Sequence, residues 1–260
     1  MTFTKDAYFE SLINDIATWV TVLAKPITPP KPVPIGKDGL KLEFWDNNPE
    51  TLMIGKLVRV VSGINAAMAL AELGYVSECG AMLRIVSDFC EEIATIGAAV
   101  EARHKGTPFH EHIEGFIAHY FTPLATSPDE LERETEVRYI SRKQMMKVRI
   151  NQVQSLGLNS NDMRKLRNYL NKVFDGFVHG YFESTMELWD PTARRFQVKG
   201  MPEAAKKEEY VDAVILKLHG VVSAIECVAA MTACEEVFNK AREARRKLDS
   251  LGLSKGPGQG

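Results

Sequence analysis

Residues 52–73, LMIGKLVRVVSGINAAMALAEL, are helix-forming and apolar nearly all round. A helix with no polar face has nothing to turn toward water, so it must be a central member wrapped by others. Gly74 breaks the run, and YVSECGAMLRIVSDFCEEIATIGAAVEA follows as a second helix. Projected at about 100° per residue, Val76, Cys79, Leu83, Val86, Phe89, Cys90, Ile93 and Ile96 cover about half its circumference. Arg84, Ser87, Asp88, Glu91 and Thr95 fill a narrower polar stripe. No β-alternating run of convincing length and no internal repeat occurs, so the fold class is all-α: a multi-helix bundle of long helices.

The flanking text divides accordingly. Residues 1–25 form an N-terminal helix whose apolar positions, Phe9, Leu12, Ile16, Trp19, Val20 and Leu23 among them, share one stripe. Residues 26–48 form a proline-rich strap, in which PITPPKPVPIGKDG is expected to run extended and polyproline-like with little secondary structure. Residues 49–248 form the bundle domain. Within it the spacing predicts one helix through FDGFVHGYFESTMELWD (174–190), a loop over DPTARRFQVKGMP, and a last helix from 203 to 248 with a kink at Gly220. Residues 249–260 are expected to be a disordered tail.

Lys plus Arg number 32 against 34 for Asp plus Glu, a formal charge of −2 that gives no global attraction to nucleic acid or to an anionic membrane. The four cysteines show no CxxC pairing and sit in apolar helical segments, as small buried hydrophobes do in a reducing compartment. The N-terminus carries Asp6 and Glu10 where a secretory signal needs an apolar core. The expected setting is cytoplasmic, with no membrane partner.

Phosphate-loop, dinucleotide-binding and serine-elbow motifs are absent, no DNA sequence-specific motif occurs, and no cofactor is implied. Four histidines cluster at 104, 110, 112 and 119, but His110 and His112 point about 200° apart on a helix and cannot share one metal. They read as exposed histidines, and no metal site is expected. Arg138, Arg142 and Arg149 share a helix face in RYISRKQMMKVRI, either as a phosphate-contacting patch or as a solvated face balancing the acidic DELERETE before it.

His179 falls at the border between core and surface, with Asp175 and Glu183 as its i−4 and i+4 neighbours. A carboxylate there fixes the imidazole tautomer, and Gly176 and Gly180 let another backbone approach the ring. Arg84, with Asp88 four residues on, stands in the middle of the otherwise apolar AMLRIVSDF. Two roles are open: a histidine that ties its helix to a neighbour, or a general acid/base with Arg84 stabilising an anion.

AELGYVSECGAMLRIVSDFCEEIATI followed by FDGFVHGYFESTMELWDPTARRFQVKGMP resembles a group of bacterial helical proteins similar to the HEPN-like families, over roughly residues 50–240. The resemblance implies an all-α bundle that often dimerises. It also implies RNA as partner and metal-independent ribonuclease chemistry in stress or defence systems. The catalytic set it suggests is His179 as acid/base, Arg84 on the phosphorane charge, and Asp88 or Asp175 as orienting groups. The HEPN signature places a histidine four to six residues after an arginine and its polar follower. Here Arg167-Asn168 precedes His179 by about 18 Å of continuous helix, and the Arg103–His110 interval contains Gly106 and Pro108. The other reading is a catalytically silent helical interaction module, a homodimer in which His179 is structural.

Overall fold

The computed structural model describes residues 5–35, 39–44, 46–104, 114, 117, 120–121, 175–201 and 203–251. These residues are mostly helical. In chain order they form α1 (Lys5–Ala24), β1 (Lys31–Ile35), β2 (Gly39–Glu43), α2 (Pro49–Glu72), α3 (Val76–His104), α4 (residues 175–179), α5 (Phe182–Met186), β3 (Trp189–Asp190), β4 (Arg195–Phe196), α6 (Ala204–Met231) and α7 (Glu235–Ser250).

The apolar run of α2 is central, as its composition demands. It packs on both α3 and α6, which also pack on each other, while α1 lies across α2 and α6 and α7 folds back on α6. Leu52, Met53, Leu57, Val60, Ile64 and Ala67 of α2 are buried, and Leu83, Ile93, Ile96, Val214, Leu218 and Ile225 meet them from α3 and α6. Helices α2 and α6 are each long and apolar enough to cross a membrane, a property that a core helix shares. Helix α7 is different: only Val237, Ala241 and Leu248 are buried, and His219–Asp249 and Glu226–Arg245 tie its polar side to α6 at 3.0 and 3.1 Å.

Helix ends follow local chemistry. Asn48 caps α2 by accepting from the Thr51 N–H at 2.8 Å, with Pro49 at the first position. Gly74, at φ +80°, closes its other end: Tyr75 N–H donates to Leu70 O and Gly74 N–H to Ala71 O. This is the paired-bond stop in which a left-handed residue follows the cap. Helix α6 runs without a break through Gly220. The last helix divides instead at Thr232–Cys234, where Ala233 takes φ +51° and Cys234 N–H reaches Ala229 O at 2.9 Å. Among the described residues nothing lies within 4 Å of a Cβ on Gly220.

Two segments read as irregular are hairpins. Strand β1 pairs antiparallel with β2, Lys31 opposite Glu43 and Ile35 opposite Gly39. Prolines normally exclude a strand, but Pro32 and Pro34 are spaced by two. The donors of Lys31, Val33 and Ile35 therefore stay on the bonded side. The loop DPTARRF is likewise a short hairpin, Trp189 opposite Phe196 and Asp190 opposite Arg195. The Asp190 carboxylate accepts from the Thr192 and Ala193 N–H groups at 2.9 Å each and from Gln197 Nε2 at 2.8 Å. These bonds, led by that from Ala193, hold its pKa below the ordinary value.

Candidate functional site

Arg84 is 2% exposed, among the largest fully buried side chains of the described residues. Helix α3 delivers it to an inward position because the apolar groups on either side, Leu83 and Val86, are themselves core. A buried guanidinium requires anionic partners, and two are in place. Nε donates to Asp175 Oδ1 at 2.7 Å and Nη1 pairs with Asp88 Oδ1, while Nη2 is buried without a hydrogen-bond partner. Burial alone would lower the arginine pKa; the hydrogen bonds and charges of Asp175 and Asp88 outweigh it and leave it raised. Three of the four residues expected to form a site are thus together, one from α4 and two from α3.

Packing supports the same contact. Phe177 lies flat on Gly80, where an added Cβ would stand 2.6 Å from the ring, and its edge meets Tyr210 of α6 with centroids 6.1 Å apart. Gly80 therefore admits α4 to the surface of α3, one turn before Arg84 receives Asp175.

His179 is placed differently from the sequence expectation. Helix α4 does not run on to Trp189: Gly180 adopts φ +61° and Tyr181 N–H returns to Gly176 O at 2.9 Å, as Tyr75 N–H does to Leu70 O after α2. Among the described residues nothing lies within 4 Å of a Cβ on Gly180 and only Tyr181 approaches Gly176, so no described backbone stands against either glycine. His179 is the exposed C-cap, its ring stacked on Tyr181 at 5.9 Å between centroids. The chain then restarts as α5, with the buried Ser184 hydroxyl donating to Gly176 O at 2.7 Å. Arg138, Arg142, Arg149, Arg167, Asn168 and the histidines at 110, 112 and 119 lie outside the described residues.

Several polar residues escaped sequence reading. Burial pushes the Lys217 ammonium pKa down; Cys90 and Glu91 oppose this and Arg84 adds to it, so Lys217 belongs to the electrostatic surroundings of Arg84. Its signal is the one that marked Arg84, a lone cation in an apolar run, VILKLHG. Lys206 pairs with Glu187 and, at 3.3 Å, with Glu209, beside the buried ring of Tyr210. Lys56 pairs with Glu92 and lies 5.5 and 5.1 Å from the ring centroids of Phe89 and Tyr120. Finally, Met201 N–H donates to Gly74 O at 2.7 Å, in a contact so close that a Cβ on Gly74 would sit 2.2 Å from Met201 O and one on Gly200 2.5 Å from Leu73 O. Gly200 and Met201, the first two residues of the GMP in the resemblance, dock the hairpin on the α2–α3 turn.

Among the described residues no group of His, Cys, Asp and Glu is arranged to hold a metal ion. No protein-family model, curated protein or solved structure matches the chain.

Proposed function

We propose that the chain is a non-catalytic helical interaction and dimerisation module in which Arg84, Asp88 and Asp175 form a structural clasp. One observation carries this reading: Arg84 is buried and two of its nitrogens are committed to carboxylates. The uncommitted Nη2 is itself buried, whereas a group that stabilises a phosphorane must present its donors to the reacting oxygens, and a general acid/base must stand within hydrogen-bond reach of the same centre. His179 instead caps α4 at the surface, its ring stacked on Tyr181. That none of the four cysteines is in a disulfide accords with a reducing, cytoplasmic setting. RNA incubated with the parent and with His179→Ala tests the proposal. No cleavage by either is expected, with a stability change within about 0.5 kcal/mol. Cleavage by the parent that His179→Ala abolishes would restore the HEPN-like ribonuclease reading.

A second reading, RNA binding without cleavage, draws on the surface beyond α4. His179, Tyr181, Phe182 and Phe196 are exposed rings, and Arg194, Arg195 and Lys199 are exposed cations on or beside the β3–β4 hairpin. Of the nearby carboxylates, Asp190 is engaged by its turn and Glu187 by Lys206. Stacking rings interleaved with cations suit a single-stranded polyanion. Binding that weakens steeply with salt and is lost on Phe182→Ala with Arg195→Ala would favour it.

A further inference from the structure

The two edges of the β1–β2 hairpin are chemically unlike. Because Pro32 and Pro34 have no N–H, the bonded pairs of the ladder are Lys31–Glu43, Val33–Lys41 and Ile35–Gly39. The backbone groups of Pro32 and Pro34 then point out of the β1 edge, and those of Leu40 and Leu42 out of the β2 edge. The β1 edge has carbonyls but no donors, so it cannot template another strand. The β2 edge presents both donors and acceptors, and no backbone hydrogen bond to another described element involves them. Leu40 and Leu42 are 72% and 69% exposed, beside the exposed Pro32 and Pro34. An open edge with apolar side chains is a strand-pairing site.

We propose that β2 pairs antiparallel with β2 of a second copy of this chain, about a two-fold axis through Leu42. The sequence Leu40-Lys41-Leu42-Glu43-Phe44 is self-complementary in that register: Leu42 meets Leu42, Leu40 meets Phe44, and Lys41 meets Glu43 twice. The outward groups of Leu40 and Leu42 make Leu42–Leu42 a bonded pair. Lys41–Glu43 becomes a non-bonded pair, the more closely spaced class of an antiparallel ladder. Glu43 then lies in a row between Lys31 of its own hairpin and Lys41 of the second copy. Other registers fail this test. An axis through Lys41 opposes two lysines, and one through Leu40 sets Leu42 against Asp38 and Lys41 against Gly39. The result is a four-stranded sheet, β1–β2–β2–β1, with prolines on both outer edges. Growth therefore stops at two copies, a closed isologous dimer.

This assignment deepens the reading of the chain as a dimerisation module and rests on it. Sedimentation equilibrium of the full chain tests it with three variants. Leu42→Pro removes an outer donor while leaving every bond to β1, and is expected to raise the dimer dissociation constant at least about tenfold. Lys41→Glu and Glu43→Lys should each weaken self-association, because each sets like charges opposite one another across the axis. An equimolar mixture of the two should recover a dimer of parent affinity, because both facing pairs of the mixed dimer then join one acid to one base. That recovery does not depend on the proline variant folding. A parent dimer unaffected by Leu42→Pro, or by the charge variants, overturns the β2 edge and leaves the wider reading standing. A parent that stays monomeric overturns both.

Discussion

Replacing Asp175 with alanine is expected to cost more stability than a carboxylate that is 29% exposed suggests, because the penalty falls on its partner. Without Asp175 the Arg84 Nε–H has no acceptor, and a guanidinium with a 2% exposed side chain keeps one neutralising carboxylate out of two. Removing one partner of a buried ion pair costs about 3–5 kcal/mol. Asp88 still holds Nη1, so the lower end applies, about 3 kcal/mol. For a chain of this length that lowers Tm by roughly 6–12 °C. Asp175→Asn keeps an acceptor near Nε and should cost about half as much.

The decisive comparison is the double variant. Adding Arg84→Met to Asp175→Ala removes the under-compensated charge and leaves a side chain of similar length in the core, while Asp88, 31% exposed, can turn to water. The double variant should therefore be more stable than Asp175→Ala alone by about 1–2 kcal/mol. Urea denaturation of the four proteins, with m-values checked for constancy, reads this directly. Additive costs, with the double variant the least stable of the four, would refute the clasp and mean that Arg84 is anchored chiefly by packing.

Ala233→Gly should stabilise by about 1 kcal/mol, raising Tm by roughly 2–4 °C, since a non-glycine residue at φ +51° carries a Cβ penalty; an unchanged melting curve would show the turn unstrained. Cys79 and Cys90, whose thiols burial pushes up to about 12, should resist iodoacetamide at about pH 8 and react only with denaturant present. Rapid alkylation of the folded chain would contradict the α3 packing. The Thr192 and Ala193 amide resonances should titrate with a midpoint below 3.8. Because the folded carboxyl lies below its unfolded value, the Asp190 contribution is complete above about pH 4 and fades as pH falls through the folded midpoint. A midpoint at or above 3.8 would mean that its turn bonds are not formed in solution.

What the sequence disclosed, it disclosed through patterns that repeat. The centrality of α2 follows from its lack of a polar face, and Arg84 stood out because an apolar helix does not carry a lone cation without a partner. The partners were legible by different routes: Asp88 by the i+4 rule, and Asp175 only by its nearness to His179. What stayed hidden depends on single residues whose effect is set by tertiary contact. Gly180 reads as an ordinary weak helix position until its φ is known, and with that one dihedral the expected helix through 174–190 is broken after His179, which moves from the expected border to the exposed cap. The hairpin of β1 was obscured by its own prolines, since composition registers their number and not their spacing. Gly220 and Ala233 show the converse: glycine is tolerated in a packed helix, while the helix breaks at an alanine.

The segment from 175 to 201 can then be understood through its ends. One end is held by Asp175 on Arg84 and Phe177 on Gly80, and the other by Met201 on Gly74. All three footholds lie on the first turns of α3 or the turn before it, within about 15 Å along the helix. Between these footholds the chain is only partly covered. That is where Val178, Tyr181, Phe182, Phe196 and Val198 are found, from 47% to 76% exposed. Ser184 is buried, Leu188 packs on the core and Glu187 pairs with Lys206 of α6, so the segment is tied along its length and is expected to open as one unit. Amide exchange at Met201 and Tyr181 should therefore respond together to Asp175→Ala, although Met201 touches neither Asp175 nor Arg84. Faster exchange at Tyr181 alone would show two independent pieces and would remove the basis for treating the clasp as the anchor of this surface.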